Sequence, residues 1–310
     1  MIQIKKNISL APLTSFKIGG PAKYFLEAKN VDEVAEGLKW AKKNKIKYFV
    51  LGGGSNILIS DRGFKGLIVK LLITNYKLLN NKLVVGSGIS LAKLINVSIQ
   101  NGLTGLEWAA GIPGTLGGAI YGNTGAMGHS ISESVEKIKV LRNGALINLK
   151  NEDVKFAYRK SIFQKNKDII LEIELKLQKG DKEEIKKLIK ENLLKRSSNQ
   201  PHYPSAGCIF KNFSLRLTSF GLAKLSEKYP ELKNFKKSGA VPAGWLIEKC
   251  GLKGKQIGQA QISEKHANFI VNLGNANAKD VIALINLAKK TVKNKFNFDL
   301  KEEIQYVYFK

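Results

Sequence analysis

Residues 111–126 read GIPGTLGGAIYGNTGA, a stretch with more glycine than a packed core or an ordinary helix uses. Glycine in regular structure is destabilising by roughly 0.5–1 kcal/mol relative to alanine. Close approach of the backbone to a flat or extended ligand would explain this composition. The alternative is a glycine-rich crossover packed against other backbone. The stretch therefore predicts a ligand-binding loop, with structural packing as the competing interpretation.

A second glycine cluster, Gly52-Gly53-Gly54-Ser55-Asn56, lies between two predicted strands, KYFVL at 47–51 and ILIS at 57–60. Backbone N–H groups of such a loop can close on a phosphate because no Cβ is in the way. The loop lacks the Gly-Lys-Ser/Thr ending of a P-loop, and no helix follows it as in the dinucleotide fingerprint. A tight structural turn explains this loop alone equally well. Together, the two glycine loops suggest a dinucleotide lying between two lobes.

Length and composition indicate a soluble protein of ordinary globular type. The 310 residues suffice for roughly two domains, and 44% of them are hydrophobic, which excludes wholesale disorder. Two cysteines cannot supply a disulfide framework. The N-terminus has no apolar core of a secretory signal, and no run of about 18 apolar residues occurs. We therefore expect a cytoplasmic protein without membrane insertion.

The charge is strongly basic, with 51 Lys and Arg against 25 Asp and Glu and a net charge of +26. Such a balance suggests an anionic partner, nucleic acid first. The basic residues are mostly lysines, however, spread along the chain among many asparagines and without an aromatic-basic motif. A nucleic-acid surface usually uses arginine forks in a concentrated patch. We therefore favour a general lysine bias and predict no nucleic-acid partner.

Apolar periodicity and turn residues predict an α+β chain in two or three lobes, with its main boundary at SSNQPHYPSAG, residues 197–207. Helices are predicted at 31–41 with Asn30 or Asp32 as cap, 91–100 with Ser90 as cap, 181–196, near 242, and 278–293 with Asn277 as cap. The apolar face of the 181–196 helix consists of Ile185, Leu188, Ile189 and Leu193. Strands are predicted at 23–28, 47–51, 57–60, 66–72, 134–148, 169–177, 257–272 and 303–309, with a hairpin over 76–85 that turns at Asn80-Asn81.

The glycine loops belong to a series of blocks that runs along nearly the whole chain. The blocks are TSFKIGGPA at 14–22, LGGGSN at 51–56, GIPGTLGGA at 111–119, YRKS at 158–161, QP at 200–201, SAGCIFKN at 205–212, AGWLIE at 243–248, HANF at 266–269 and LKEEI at 300–304. In this order the chain resembles the UDP-N-acetylenolpyruvoylglucosamine reductase (MurB) family. The short stretch from 159 to 200 resembles the shorter subclass, which lacks an extra loop bearing a substrate-contacting tyrosine.

The resemblance implies an α+β fold with an FAD-binding unit of the vanillyl-alcohol-oxidase (PCMH) type made of two subdomains, followed by a C-terminal α+β substrate-binding domain. The implied ranges are 1–66 and 67–196 for the FAD-binding subdomains, 197–302 for the substrate-binding domain and 303–310 for a C-terminal strand. The implied cofactors are bound FAD and the hydride donor NADPH. The implied substrate is UDP-N-acetylglucosamine enolpyruvate, reduced to UDP-N-acetylmuramate for peptidoglycan synthesis by a cytoplasmic monomer.

Three catalytic residues follow from the resemblance. Arg159 suits the enolate that develops at the substrate carboxylate, because its guanidinium stays charged and can fork onto a carboxylate; a surface arginine is the alternative. Cys208 stands where the family usually has the serine that protonates C2, and a thiol, with a pKa of about 8.5, can donate that proton. A buried small hydrophobe is the alternative for Cys208. Glu303 matches the family's C-terminal glutamate, and Glu302 is expected on the opposite strand face.

The remaining predicted site residues bind ligands. The resemblance places the substrate against Tyr158, Lys211 and Asn212. It places the cofactor against Gly52, Gly53, Gly54, Ser55, Asn56, Gly111, Ile112, Pro113, Gly114, Thr115, Gly117, Gly118, Asn123 and Gly125. No Cys/His cluster has metal-ligand spacing, so no metal is predicted.

Two other functions remain open from the sequence. Another FAD oxidoreductase of the same fold could act on an alcohol or sugar, but it would not need the set of Cys208, Arg159 and Glu303. A basic nucleic-acid-binding protein with purely structural glycine loops would be colourless and would bind in a salt-sensitive way.

Overall fold

The computed structural model describes residues 2–214, 227–235 and 239–308. Packing divides the chain into two compact units. Unit 1 comprises Met1–Ser9, Pro21–Gly54 and Gly63–Ser198, and unit 2 comprises Leu10–Gly20, Ser55–Arg62 and Asn199–Lys310. Two early segments, Leu10–Gly20 and Ser55–Arg62, thus pack with the C-terminal part of the chain. The four functional ranges expected from the sequence stay predictions.

The first sheet of unit 1 is four-stranded, in the order Lys5–Ser9, Pro21–Ala28, Phe64–Leu71 and Tyr48–Leu51. Lys5–Ser9 pairs antiparallel, and the other neighbours are parallel. Helix α1 (Val31–Lys43) begins at Asn30, whose side chain accepts a hydrogen bond from Glu33 N. The predicted strands and the predicted Asn30 cap are confirmed here. Apolar residues of α1 and of the parallel strands pack together in one core.

The second sheet of unit 1 is five-stranded and antiparallel, in the order Ala145–Lys150, Val135–Arg142, Ile169–Lys176, Lys82–Gly86 and Tyr76–Leu79. The predicted hairpin is confirmed, with Asn80 at a φ of 57° in the turn. Helix α2 (Leu91–Gln100) packs on this sheet and is capped by Ser90, as predicted. Unit 1 also contains short strands at Leu103–Thr104, Gly125–Ala126, His129–Ser130 and Gln178–Lys179.

The glycine-rich stretch contains a seven-residue helix, α3 (Leu116–Gly122), where the sequence indicated no ordinary helix. Its two ends are capped. The Thr115 side chain accepts from Gly118 N, and Asn123 adopts a left-handed conformation with a φ of 43°. Leu116, Ala119 and Ile120 are buried. Capping and core packing therefore offset the poor helix propensity of the glycines.

The last helices of unit 1 are the one-turn α4 (Asn151–Val154) and the long α5 (Lys182–Asn199). Only Ile185 of the predicted apolar face of α5 is buried, while Leu188 and Leu193 are 41% and 45% exposed. Ile189 is half-buried against the core of unit 1, and polar contacts also hold α5. Asn192 Nδ2 donates to Glu107 O at 2.9 Å and Arg196 Nε donates to Ala110 O at 2.8 Å.

Unit 2 contains a four-stranded antiparallel sheet in the order Ser205–Cys208, Phe269–Asn272, Ala260–Ile262 and Gln256–Ile257. Helices α6 (Ala243–Lys249) and α7 (Ala278–Phe296) pack against it, and α7 begins at the predicted cap, Asn277. Two small pairs complete the unit: Phe213–Ser214 with Ala240–Val241, and Gln305–Val307 with Ile57–Ile59. No helix in the described parts of either unit has both the length and the apolar character to cross a membrane.

Candidate active site

The two predicted glycine loops lie in direct contact within unit 1. A Cβ added to Gly53 would overlap Gly114 Cα and would lie 2.9 Å from Gly114 C. One added to Gly52 would lie 2.7 Å from Thr115 Oγ1. Gly54 has a φ of 66°, a region that L-residues rarely adopt. The structure therefore brings Gly52–Gly54 and Gly114–Thr115 together at a spacing that only glycine permits.

A third loop, Gly86–Ile89, is bonded to the second glycine loop and was not singled out by the sequence. Gly117 N donates to Ser87 O at 2.8 Å, and Leu116 N donates to Ile89 O at 2.9 Å. A Cβ on Gly117 would lie 2.8 Å from Ser87 Cβ. The Ser87 Oγ is buried and has no hydrogen-bond partner among the described residues. Two glycines flanking a serine directly after a predicted strand were the signal that could have found this loop.

Lys70 is a second residue that the sequence did not assign to the site. It lies on the strand Phe64–Leu71, and its Nζ donates to the backbone oxygen of Gly52. Burial lowers the pKa of Lys70, and the charge of Glu27 partly opposes this shift. A lysine that interrupts an apolar run was the available signal. Lys70 thus fixes the first glycine loop and places a cation beside it.

Arg159 occupies the third position of a tight turn in unit 1. Lys160 N donates to Ala157 O at 2.9 Å, and Ala157 N donates to Lys160 O at 3.1 Å. Arg159 has a φ of 53°, a left-handed conformation that costs a non-glycine residue about 1–3 kcal/mol. Its Nη2 donates to Gly125 O at 2.8 Å, and its guanidinium carbon lies 5.2 Å from the Tyr158 ring centroid. These contacts place the half-buried arginine in a defined position.

Asn123 joins this turn to the glycine-rich helix. Its Nδ2 donates to Ala157 O at 2.9 Å, and its Oδ1 accepts from Ser132 N at 3.4 Å. The side chain is 6% exposed. Both ends of the Asn123 amide therefore contact protein backbone.

Cys208 and Glu303 lie on neighbouring segments of unit 2. Ile209 N donates to Asn268 O at 2.8 Å, and Glu303 N donates to Ile209 O at 2.7 Å. Asn268, a buried residue of the HANF block, also exchanges two hydrogen bonds with the Phe210 backbone, at 2.8 and 2.9 Å. The backbone directly after Cys208 is thus fixed, with Glu303 on the adjoining segment.

Glu302 and Glu303 precede the final strand, which corrects the sequence prediction. That strand is Gln305–Val307 rather than 303–309, and residue 309 lies outside the described residues. The predicted bounds of the strand are therefore wrong, but Glu302 and Glu303 still lie on an extended segment that pairs antiparallel with residues 209–211. Glu302 forms an isolated bridge with Phe210, and its carboxylate pairs with Lys289 Nζ at 2.8 Å.

The glycine loop 52–56 crosses from unit 1 to unit 2 after Gly54. Asn56 Nδ2 donates to Glu303 O at 3.2 Å, and Gln305 N donates to Asn56 O at 3.0 Å. Ser55 precedes this contact and is half-buried. Asn56, predicted to hold the cofactor, therefore contacts the backbone of a predicted catalytic residue.

The start of the second glycine loop is held by α5. Gly111 has a φ of 78°, and a Cβ there would lie 3.0 Å from Arg196 Cδ. Ile112 packs against the core of unit 1, and Pro113 is exposed. Gly118 is exposed, and a Cβ there would meet only Thr115 Oγ1 at 3.5 Å. Gly118 is thus a predicted cofactor glycine with open space in front of it.

The predicted substrate residues differ in exposure. Tyr158 is 55% exposed in the Arg159 turn of unit 1. Lys211 and Asn212 follow Cys208 in unit 2, and Asn212 Oδ1 accepts from Ala243 N, the first residue of α6, at 3.3 Å. Among the residues that the structure describes, no cluster of His, Cys, Asp or Glu is arranged to hold a metal ion.

His266, which received no role from the sequence, is largely buried in unit 2. Its Nδ1 accepts from Asn268 N at 3.2 Å, and Gly244 lies against the ring, since a Cβ there would be 3.2 Å from His266 Cε1. Burial lowers the pKa of His266, Lys253 lowers it further, and Glu248 partly opposes the shift. The imidazole is therefore neutral at neutral pH.

Comparison with known proteins decides the family. The profile of the UDP-N-acetylenolpyruvoylglucosamine reductase C-terminal domain matches residues 200–307, and that of an FAD binding domain matches residues 22–149. The chain is 40% identical to the UDP-N-acetylenolpyruvoylglucosamine reductase of Halalkalibacterium halodurans over 309 residues, covering 98% of this chain and 94% of that one. The chain belongs to the UDP-N-acetylenolpyruvoylglucosamine reductase family.

Two further relatives agree with this assignment. The reductase of Bacillus subtilis is 39% identical over 98% of this chain and 94% of its own. The crystal structure of the Thermus caldophilus reductase superposes with a TM-score of 0.79 at 31% identity and covers 99% of both chains. The predicted α+β fold, with an FAD-binding unit and a C-terminal substrate-binding domain, is confirmed for this member of the reductase family.

The residues of unit 1 fit FAD. Gly52–Gly54 and Gly114 approach one another as backbone, and no side chain at these positions blocks a diphosphate from main-chain N–H groups. Lys70 adds a cation beside Gly52. The buried Ser87 hydroxyl is available as a further polar group. The close-packed glycine backbone and the Lys70 cation therefore fit the chemistry of a diphosphate-linked flavin.

Proposed function

We propose that this chain reduces the enolpyruvyl group of UDP-N-acetylglucosamine enolpyruvate to UDP-N-acetylmuramate, for peptidoglycan synthesis. The proposal rests on the similarity to UDP-N-acetylenolpyruvoylglucosamine reductases, which are about 40% identical over 98% of the chain. FAD, when bound, supplies the transfer of hydride from NADPH to C3 of the enolpyruvyl double bond. The chain itself must hold the cofactor, orient the substrate carboxylate and deliver a proton to C2.

The glycine loops and Lys70 hold the cofactor in this proposal. The backbone donors come from Gly52–Gly54 and from the start of the second loop at Gly114, which lies against Gly53. The Lys70 ammonium orients the first loop through Gly52 O and offsets negative charge nearby. Each residue of the predicted cofactor set except Asn123 remains a proposed ligand.

Arg159 receives the substrate carboxylate. Negative charge develops there as an enolate while hydride arrives at C3, and a guanidinium that keeps its proton stabilises that charge. The turn and the bond to Gly125 O fix the guanidinium before the substrate arrives. Removal of such a preorganised donor typically lowers kcat by about 10²–10³-fold. We therefore expect a loss of kcat of this order in Arg159→Lys, measured with saturating NADPH.

Cys208 delivers the proton to C2, and Glu303 orients the intermediate at its carboxylate. The thiol is the acid because an S–H group can donate this proton, and hydrogen bonds at Ile209 and Phe210 fix the backbone that follows it. Lys211, Asn212 and Tyr158 bind the diphosphate and sugar, where lysine acts as a point charge on phosphate. The substrate is a small UDP-sugar, and we propose a cytoplasmic monomer without a nucleic-acid partner.

The decisive experiment is NADPH oxidation by the purified protein, with and without UDP-N-acetylglucosamine enolpyruvate. Oxidation that depends on this substrate, with UDP-N-acetylmuramate as product, is the expected result. If a yellow protein oxidises NADPH whether or not this substrate is present, the flavin assignment would stand and the substrate assignment would be wrong. A colourless protein that stays inactive after addition of FAD would overturn the proposal, and salt-sensitive RNA binding would then identify a basic binding protein.

A further inference from the structure

Asn123 contacts protein backbone through both ends of its side-chain amide. Nδ2 donates to Ala157 O at 2.9 Å, and Oδ1 accepts from Ser132 N at 3.4 Å. The side chain is 6% exposed, so these bonds are made away from solvent. A buried amide that satisfies backbone groups on two other segments acts as a structural link between them.

The carbonyl that Asn123 contacts opens the Arg159 turn. Ala157 O accepts from Asn123 Nδ2 and also from Lys160 N, the bond that closes the turn. The third position of a turn with positive φ favours glycine or asparagine, whereas here it holds an arginine at a φ of 53°. The turn therefore depends on surrounding contacts to keep this arginine in a conformation that it does not prefer.

The same segment also holds the other end of the arginine. Gly125, two residues after Asn123, accepts from Arg159 Nη2 at 2.8 Å through its backbone oxygen. Asn123 is itself the left-handed residue that ends α3, with a φ of 43°. The segment 123–125 thus contacts both the backbone turn and the guanidinium.

We propose that Asn123 is a positioning residue for Arg159, in place of the cofactor ligand that the sequence indicated. The inference rests on the proposed function, because it needs Arg159 to bind the substrate carboxylate. Its physical basis is that a misplacement of about 1 Å at a reacting centre can cost about 10²-fold in rate. The amide of Asn123 prevents such a displacement by fixing the first residue of the turn.

The test is Asn123→Gly, which removes the amide but tolerates the left-handed backbone. Asn143→Gly is the matched control, since Asn143 also has a positive φ, 50°, but lies exposed in a hairpin turn. We expect Asn123→Gly to keep FAD affinity and NADPH-driven flavin reduction, and to lose about 10- to 100-fold in kcat for the enolpyruvyl substrate. The control should keep all three. Loss of FAD affinity in Asn123→Gly would instead identify a cofactor ligand and overturn the proposal.

A double-mutant cycle separates positioning from general damage. If Asn123 acts through Arg159, then Asn123→Gly combined with Arg159→Lys loses no more kcat than Arg159→Lys alone. If the kcat losses of the two single variants multiply in the double variant, Asn123 acts independently of Arg159, and this would contradict the proposal. Thermal unfolding of each variant confirms that folded protein is compared.

Asn123→Asp provides a second variant if Asn123→Gly does not fold. The aspartate keeps the acceptor for Ser132 N but cannot donate to Ala157 O above its pKa. The same loss of kcat with intact flavin reduction is expected, and full activity in this variant would contradict the proposal. A wild-type protein with no substrate-dependent NADPH oxidation overturns the proposed function and this inference together. Active wild type with a variant equal to the control overturns this inference alone.

Discussion

The glycine loops of unit 1 and the paired segments of unit 2 position their functional groups differently. In unit 1, Gly53 and Gly114 touch as backbone, and the groups that we propose for the cofactor are main-chain donors. In unit 2, hydrogen bonds fix the backbone around Ile209, and the groups that we propose for the chemistry are the side chains of Cys208 and Glu303. The close approach in unit 1 requires glycines, which have no side chain, whereas the proposed role of unit 2 requires the particular side chains of Cys208 and Glu303.

This difference predicts opposite sensitivities to substitution. The glycine region should fail when one methyl group is added, because a close-packed contact tolerates little extra volume. A similar change of volume at Cys208 in unit 2 should be tolerated, but catalysis should fail when its proton-donating thiol is removed. Cys208→Ala and Gly118→Ala test this contrast, Lys70→Met and His266→Gln test one further contact in each unit, and each substitution has a matched control.

The largest effect is expected for Cys208→Ala. Removal of the proton donor should slow the reaction with the enolpyruvyl substrate by about 10²–10⁴-fold, because general acid catalysis contributes in that range. Flavin reduction by NADPH should stay near the wild-type rate, as measured by stopped-flow absorbance. Cys208→Ser, which keeps a donor, should retain far more activity. An equal loss in both half-reactions would refute the proton-donor role.

Gly118→Ala tests the addition of a methyl group in α3. If the space before Gly118 belongs to the cofactor, the FAD Kd should rise about 5- to 150-fold, since overpacking costs about 1–3 kcal/mol. The apo protein should gain up to about 1 kcal/mol from better helix propensity. Gly122→Ala is the control, because a Cβ there would meet only Thr124 Oγ1 at 4.0 Å. Equal Kd values for the two variants would remove Gly118 from the cofactor site.

Lys70→Met removes the cation that holds the first glycine loop. A hydrogen bond to a charged group contributes about 1.5–3 kcal/mol, so we expect FAD to bind about tenfold more weakly or worse. Lys65→Met is the control, because Lys65 lies on the same strand but is exposed. Flavin fluorescence titration measures both. A control that weakens binding equally would show that general charge, rather than the bond to Gly52 O, is responsible.

The smallest effect is expected for His266→Gln. Burial lowers the pKa of His266, so in acid the unfolded chain binds a proton that the folded chain resists. Wild-type stability should therefore fall as the pH drops below about 6.5, and the variant should show a shallower decline. Urea unfolding between pH 7.5 and 5.5 measures the slope. Exposed His202 supplies the control, His202→Gln, which should keep the wild-type slope.

Local elements were predictable where one face of periodic residues is buried. The caps at Asn30, Ser90 and Asn277 were found because their side chains bond to the next helical turn, a contact set by adjacent sequence. Helix α3 was missed because its glycines have low propensity, while its stability comes from Thr115, Asn123 and core contacts. The exposed leucines of α5 were missed because Arg196 and Asn192 replace the expected apolar contact.

The sequence motifs that form the candidate site could be predicted, but the contacts that their side chains make could not. Glycine content and family resemblance indicated the loops, since a missing Cβ is visible in the sequence itself. The partners of Asn56 and Asn123 were hidden, because Ala157 O and Glu303 O are backbone groups that any residue would present. Lys70 looked like an interruption of a strand until Gly52 O was found beside it.

Unit 2 is built from segments that lie far apart in the sequence, and this has a consequence for its folding during synthesis. Ile57–Ile59 pairs in parallel with Gln305–Val307, and Asp61 caps α7 through Ala278 N at 2.8 Å. Phe16, Ile18 and Leu58 are buried in a core otherwise built from the C-terminal segment. On the ribosome these early residues emerge long before their partners. We therefore expect a nascent chain whose apolar segments stay exposed to chaperones until residues 305–307 have been translated.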